Sequence, residues 1–244
     1  MDGDRKKEGV VMKQKLLFVI ESLNCAGAEK SLTTLLNLID YSKYEVDLQL
    51  FSIAGEFLEL VPEEVNILPK LDYFEYCNLP MSQCIKSVFS FTKLKMLLSR
   101  IHYSIRIRIK KGNNADKAVM FWKCCEHSFD KLPKEYDVAI AYAQGTPTFY
   151  VADKVKAKKK MAWVNTVYRP QGNTKEYNVK EYKKIQMINC VSDAVAEEFQ
   201  KDFYQFRNHI SIMYDIMDKN FILKMAKMKS NVMSDMQKGQ YKLL

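Results

Sequence analysis

The chain has 244 residues, of which 48% are hydrophobic and 27% are charged, and its formal net charge is +9. This is enough apolar material for one large domain with a buried core, which excludes wholesale disorder, a collagen-like repeat and a coiled coil. No apolar run approaches the roughly 20 residues of a membrane span, and the run at residues 16–20 is too short for a signal-peptide core. The sequence therefore favours a globular protein of the cytoplasm.

Short apolar segments alternate with helical patterns along the chain. Strands are predicted at residues 16–20, 44–53, 65–68, 137–142, 160–166, 184–191 and 209–214. Helices are predicted at 29–39 and at 194–203, the second with Ser192 or Asp193 as its cap. Alternating strands and helices indicate an α/β fold, a doubly wound Rossmann-like parallel sheet.

The pattern also suggests a division of the chain. We expect residues 1–12 to be a disordered polar tail and residues 13–216 to form the Rossmann-like domain, with a basic helical insertion at about 80–131. Residues 217–244 resume a helix at 221–228, pass through a polar stretch at 230–240 and end on YKLL. We expect this last part to be a linker helix followed by the first strand of a truncated second domain.

The net charge comes from the insertion. Between Lys86 and Lys123 there are ten basic residues and one acid, Asp116, while the rest of the chain holds 28 of each sign. Apolar residues recur there at helical spacing, and the candidate surface cations are Lys86, Lys93, Arg100, Arg106 and Arg108.

Three interpretations of these basic helices stay open. They could rest on the anionic inner face of the cell membrane, or pack on the domain with a solvated basic face. A nucleic-acid surface is disfavoured, because no nucleic-acid-binding motif accompanies the charge. Residues 105–109 alternate Ile and Arg, which also fits a short strand.

The candidate ligand-binding motif is the loop NCAGAE, which follows the first strand and begins the first helix. In a doubly wound sheet this turn lies at the carboxyl edge, where small residues and free helix N–H groups suit an anion. Gly27 is its only glycine, so the three-glycine dinucleotide fingerprint is missing, and a simple tight turn would look the same.

Six segments, in order, resemble the N-terminal domain of the GT-B glycosyltransferases of family 4, over residues 13–229. They are KLLFVIESLNCAGAEKSLTTLLNLI, YEVDLQLFSIAGEF, YDVAIAYAQGTPTFYVAD, KKKMAWVNTVY, INCVSDAVAEEF and ISIMYDIMD. The most specific parts are GAEKSL and the pairing of AWVNT with CVSDAV.

The resemblance implies a retaining sugar transferase with two Rossmann-like domains facing a cleft. The N-terminal domain would hold the acceptor and the C-terminal domain a nucleotide-sugar donor, with no metal required. Gly27, Ala28 and Glu29 would line the cleft near the donor phosphates, and Asn165 with Thr166 would face the acceptor. This half would bind no cofactor itself, because the donor-binding glutamates belong to the second domain.

The chain departs from the family pattern at three positions. Ala26 stands where many members have a second glycine, Asn165 where many have a histidine, and Asp215 where asparagine is usual. Because an amide cannot act as a general base, Asn165 is a candidate for positioning only.

Three further residues are candidates on the acceptor side. Gln144 and Gly145 end the fourth strand and point to the same edge, either as ligand contacts or as a simple turn. Arg169 could hold a phosphate or carboxylate, or lie free on the surface.

The sequence thus favours the acceptor-binding half of a retaining glycosyltransferase of polysaccharide or cell-envelope synthesis, inactive alone. Its acceptor would be a sugar or lipid-linked glycan, and no nucleic-acid partner is expected. The alternative is a non-catalytic membrane- or glycan-binding module of the same fold. A metal site at Cys124, Cys125 and His127 is not predicted, because no second ligand pair stands at zinc spacing.

Overall fold

The computed structural model describes residues 12–110, 112–219 and 222–223. Within these ranges seven strands form one sheet in the order β3-β2-β1-β4-β5-β6-β7, and every neighbouring pair is parallel. The strands are β1 (Gln14–Ile20), β2 (Tyr44–Leu50), β3 (Asn66–Ile67), β4 (Glu135–Ala141), β5 (Lys156–Val164), β6 (Met187–Cys190) and β7 (Ile210–Ile212). This is the Rossmann-like strand order with one strand added, so the predicted fold class is confirmed.

Helices cover both faces of the sheet. They are α1 (Gly27–Leu36), α2 (Asp72–Asn78), α3 (Met81–Lys86), α4 (Phe91–Ile109), α5 (Asn114–Cys125), α6 (Thr146–Lys154), α7 (Gly172–Tyr182) and α8 (Asp193–Phe203). Strand β1 shows why two layers are needed: Leu17 and Val19 belong to one core, Phe18 and Ile20 to the other, and all four are buried. A strand that is apolar on both sides must be covered on both sides.

The predicted first helix has the wrong bounds, since α1 begins at Gly27 and ends at Leu36. Its end is set by Asn37, whose side-chain amide donates to the carbonyls of Thr33 and Leu60 at 2.9 and 3.0 Å. The cap predicted for α8 is confirmed, because the Ser192 hydroxyl accepts from the N–H of Val195 at 3.2 Å.

The segment between β3 and β4 is helical and holds α2 to α5. The strand alternative for residues 105–109 is wrong, because α4 runs without a break to Ile109. Helix α5 begins with a reciprocal cap, in which the Asn113 side chain and the N–H of Asp116 pair at 3.0 Å.

Helix α4 does not bury the apolar pattern that the sequence suggested. Of the residues in that pattern, Leu97 is buried, whereas Leu94, Leu98, Ile101 and Ile105 are exposed. Helix α4 therefore packs on the domain, but through a different side from the one that the apolar pattern marks. The inward face instead carries residues of mixed polarity, among them Met96, Ser99, Arg100 and Tyr103.

Some predicted elements lie outside the described residues. These are the polar tail apart from the exposed Met12, most of the helix at 221–228, the polar stretch at 230–240 and the strand at 241–244.

Candidate functional site

The loops that follow β1, β2, β4 and β5 meet at the carboxyl edge of the sheet. The strand order reverses between β1 and β4, and ligands of open α/β sheets bind at such a switch point. The loops are held together by main-chain bonds, including Leu23 N–H to the Ala54 carbonyl at 2.9 Å and Tyr142 N–H to the Val19 carbonyl at 2.8 Å.

The loop after β1 needs a glycine in the loop after β2. Gly55 has φ 120°, and a Cβ there would lie 2.0 Å from the carbonyl carbon of Leu23. The two backbones approach so closely that only glycine fits. Its position in the segment SIAGEF was visible in the sequence, but the partner was not.

Gly27 is a different case, although the sequence singled it out. Its φ is not positive, and a Cβ there would meet nothing within 4 Å. A tight turn therefore does not require this glycine, and the space next to its α-carbon is open. No side chain caps this helix start, where Glu29 is the acidic residue of the first turn, and Ala28 is half-buried beside it.

Helix α1 is tied to the far part of the sheet by a short hydrogen-bond chain. The hydroxyls of Ser31 and Tyr142 lie 2.9 Å apart, and the Ser31 hydroxyl also donates to Asp215 at 2.6 Å. Asp215, to which the sequence assigned no role, thus brings the segment after β7 back over the sheet edge to α1. A small cavity of about 180 Å³ lies between Gly27 and this segment.

The acceptor-side candidates of β4 and β5 are brought together. The Gln144 side chain donates to the Thr166 carbonyl at 2.6 Å and accepts from the Asn165 N–H at 3.1 Å. The Asn165 side-chain amide donates to the Tyr142 carbonyl at 2.8 Å. Gln144 therefore braces two strand ends with both of its polar atoms.

Asn165 keeps a feature that a ligand could use, whereas Gly145 is packed against the insertion. The side-chain oxygen of Asn165 is enclosed and has no hydrogen-bond partner within the described chain, and such buried acceptors are uncommon. Gly145 has φ 77° at the start of α6, and its α-carbon faces Ala118 of α5, whose Cβ would lie 3.0 Å from an added Cβ. The insertion thus packs directly against this turn.

Arg169 is already engaged. Its guanidinium forms an ion pair with Glu198 at 2.7 Å, and its main-chain carbonyl accepts from the Asn113 side chain at 3.1 Å. Glu198 has its pKa lowered by hydrogen bonds from Lys201 and Arg169. A ligand anion would have to compete with this carboxylate for Arg169.

A crevice at this edge has an aromatic wall. A cavity of about 430 Å³ lies between the loops after β1 and β2 and the insertion. Its rings pack in a chain from Phe51 to Phe74 (4.9 Å between centroids), Phe121 (5.8 Å) and Tyr103 (5.2 Å). A second cavity of about 510 Å³ is also lined by Phe51 and Phe74, so these rings border both cavities. We refer to the two neighbouring cavities together as the groove.

The rim of the 430 Å³ cavity is polar and carries both signs of charge. Glu21 and Asn24 come from the loop after β1, and Asn114 and Lys117 from α5. Glu21 is exposed as a residue, but the protein atoms around its carboxyl group displace water there. This desolvation, and secondarily the charge of Glu29, raise the pKa of Glu21 above its ordinary value. Burial likewise raises the pKa of Tyr103.

Sequence reasoning did not identify this aromatic wall or Lys117. Phe51 lies near the end of a predicted strand, and this position could have placed it at the carboxyl edge of the sheet. The other rings lie on three separate helices, α2, α4 and α5, and nothing local in the sequence says that they meet. Lys117 was counted in the basic segment without a role.

The described residues contain neither a metal-binding cluster nor a membrane-spanning helix. No cluster of three or more His, Cys, Asp or Glu side chains there could hold a metal ion. Among the described helices, none has the length and apolar character that crossing a bilayer would need.

No protein-family model and no curated protein matches the sequence. Two solved structures are similar in part. HepE of Anabaena, in complex with UDP and glucose, is 14% identical with a TM-score of 0.45, over 85% of this chain and 46% of that one. UGT2 of Phytolacca americana, complexed with UDP-2fluoro-glucose and pterostilbene, is 12% identical with a TM-score of 0.35, over 90% and 58%. This chain spans about half the length of each, and similarity at these values assigns it to no family.

Proposed function

We propose that this chain is the acceptor-binding domain of a retaining, nucleotide-sugar-dependent glycosyltransferase of cell-envelope or polysaccharide synthesis. The observation that carries the proposal is the aromatic-walled groove at the sheet edge, beside the loop of Gly27 and the brace between Gln144 and Thr166. The segments GAEKSL and AWVNT, which most resemble family 4, belong to this same edge.

The groove fits a sugar acceptor chemically. A sugar ring presents an apolar C–H face, which packs on aromatic rings, and hydroxyls, which need donors and acceptors. The half-buried rings of Phe74, Phe121 and Tyr103 supply the first. Glu21, Asn24 and Lys117 supply the second. The cavity volume of about 430 Å³ is within the range of small-molecule sites, roughly 300 to 1,000 Å³.

In this proposal the donor is a nucleotide sugar held by a second domain across the groove. The sugar passes to an acceptor hydroxyl, and the nucleoside diphosphate leaves. Gly27 and the start of α1 would approach the donor phosphates, since the space there is open. Transfer needs both substrates in near-attack geometry, so we expect little or no transfer by this chain alone.

Binding of the acceptor can be tested on the chain as it is. Ligand-detected NMR with a panel of mono- and oligosaccharides should reveal a saturable ligand. Lys117→Ala and Glu21→Gln should each weaken it by about tenfold, because each removes a charged hydrogen-bond partner. Lys123→Ala is the matched control, since Lys123 is an exposed lysine of the same helix that lines a different cleft. Failure of every saccharide to bind, or equal loss in Lys123→Ala, would contradict the proposal.

Catalysis separates the enzyme from the non-catalytic module of the same fold. Transfer from labelled nucleotide sugars to the bound saccharide should be negligible with the chain alone and should appear when a donor-binding domain is joined to it. Saccharide binding without transfer in the joined protein would favour the binding module.

A further inference from the structure

Helix α4 presents an apolar row to solvent. The outward row consists of Phe91, Leu94, Leu98, Ile101, Ile105 and Ile109, whose exposed fractions range from 38% to 77%. With 3.6 residues per turn these side chains fall within an arc of about 80° and extend over about 27 Å. An apolar strip of this length on a surface helix marks an interaction site.

The opposite side of α4 is anchored, so the row cannot turn inward. Met96 is buried, the hydroxyls of Ser99 and Ser128 lie 2.9 Å apart, and the ring of Tyr103 packs edge-on against Phe121 at 5.2 Å. Arg100 donates to the Leu79 carbonyl at 2.7 Å. These contacts hold the outward row away from the sheet.

Cations flank the row without a carboxylate partner among the described residues. Helix α4 contains no acidic residue; Lys95 and Arg106 lie on one side of the row and Arg108 on the other. All three are exposed, and none forms an ion pair with a described carboxylate. The surface is therefore apolar along its middle and positive at its margins.

We propose that the outward face of α4 docks this domain on an anionic lipid bilayer. The row would lie at the boundary between headgroups and acyl chains, and Lys95, Arg106 and Arg108 would lie among the lipid phosphates. A second copy of the chain is a poorer occupant, because pairing two such faces would bring their unpaired cations together. Nucleic acid would set phosphates against the apolar row.

This inference does not rest on the proposed reaction, but it bears on the acceptor. Tyr103, on the inner side of the same helix, lines the 430 Å³ cavity. Docking through α4 would place that cavity next to the membrane, where a lipid-linked acceptor resides.

The apolar part of the surface can be tested by vesicle sedimentation. The 244-residue chain should bind vesicles of phosphatidylcholine and phosphatidylglycerol, and bind pure phosphatidylcholine at least tenfold more weakly. Leu98→Ser with Ile105→Ser should lower the affinity at least tenfold. Leu38→Ser is the matched control, because Leu38 is 55% exposed and Leu98 is 57% exposed; it should bind as the parent does.

The charged part has its own pair of variants. Arg106→Ala with Arg108→Ala should weaken binding to anionic vesicles about 25-fold, since each basic residue contributes about fivefold near such a surface. Lys156→Ala with Lys159→Ala removes two exposed lysines of β5 as the control and should change little. Raising the salt concentration to about 0.5 M should reduce the difference between the two pairs.

A direct reporter of insertion is Leu98→Trp, whose fluorescence should shift to the blue and be quenched by brominated lipid, whereas Leu38→Trp should do neither. Negligible binding to both vesicle types would overturn the proposal. It would also be overturned if the Leu98→Ser and Ile105→Ser variant abolished self-association in sedimentation velocity while lipid binding was absent, because the face would then join copies of the chain.

Discussion

The side-chain amide of Asn165 donates to the main-chain carbonyl of Tyr142 at 2.8 Å, which fastens the end of β5 to the end of β4. The ring of Tyr142 stacks on Trp163 at 4.6 Å, and its hydroxyl lies 2.9 Å from that of Ser31 in α1. One tyrosine therefore links the loop of β5 to the helix that follows β1. The site edge is a single hydrogen-bonded unit.

Replacing Asn165 by Asp should destabilise the fold by about 2 kcal/mol at pH 7. The amide donor would become a carboxylate facing a carbonyl, and the Tyr142 oxygen would lose its partner. Urea unfolding measures the change. Thr166→Ala, next along the chain and exposed, should stay within about 0.5 kcal/mol; equal losses in both variants would refute the specific role of the Asn165 bond.

Substitution by alanine should destabilise the fold strongly at Gly55 and hardly at all at Gly27. Gly55→Ala puts a methyl group 2.0 Å from the Leu23 backbone at a positive φ, so we expect a loss of more than about 4 kcal/mol or failure to fold. Gly27→Ala meets nothing within 4 Å and should change the melting temperature by no more than a few degrees. A strongly destabilised Gly27→Ala would show that the first turn of α1 needs glycine for its own conformation.

Asp47 should make the free energy of unfolding depend on pH in the acid range. It is 1% exposed and accepts from Lys134 (2.7 Å), Tyr136 (2.6 Å) and Asn66 (2.9 Å). Burial raises the pKa of Asp47, but these hydrogen bonds outweigh it, so the net pKa is lowered. Because the pKa of Asp47 is lower in the folded state than in the unfolded state, ionised Asp47 stabilises the fold above a pH of about 4, the ordinary pKa of Asp. That stabilisation is lost as the pH falls through the folded-state pKa.

The matching variant is Asp47→Asn, which should cost about 2 kcal/mol at pH 7, because it removes a buried charged acceptor and leaves Lys134 paired with the exposed Glu45 alone. Its free energy of unfolding should then vary less than that of the parent between pH 5 and pH 2. Asp137→Asn is the control, since Asp137 pairs with Lys158, a largely exposed lysine, and should have a smaller effect. An unchanged acid slope in Asp47→Asn would contradict the assignment.

Arg100 should contribute to stability and not to the membrane surface. Its guanidinium donates to the carbonyls of Leu79 (2.7 Å) and Tyr76 (3.3 Å) at the end of α2 and to the Cys84 sulfur (2.7 Å). Arg100→Ala should therefore lower the free energy of unfolding by about 1 to 3 kcal/mol. Arg108→Ala, at an exposed site, should stay within about 0.5 kcal/mol.

Vesicle binding by the folded fraction of each variant completes the comparison. It should persist in Arg100→Ala and weaken in Arg108→Ala. The reverse order would place Arg100 among the lipid contacts, as its inclusion among the candidate surface cations of the sequence implied.

The sequence alone determined the fold class and the location of the charge. Apolar runs with residues on both faces predict buried parallel strands, and this signal is local, so the strands and their order of appearance were readable. The position of Ser192 before a helix is local too, and its capping bond was predicted correctly. The convergence of Gln144, Asn165 and Thr166 followed from the rule that parallel strands end at one edge.

Only the tertiary structure decided which face of each element is used. The aromatic wall joins Phe51 of the loop after β2 with Phe74, Phe121 and Tyr103 of three helices, and no local pattern encodes that meeting. The glycine that the backbone requires is Gly55, not Gly27, because the constraint comes from a loop that lies about thirty residues away along the chain. The outward row of α4 has the same helical period as a buried face, so its period does not show which side packs on the domain. The long-range packing of Met96 and Tyr103 decides that the opposite side does.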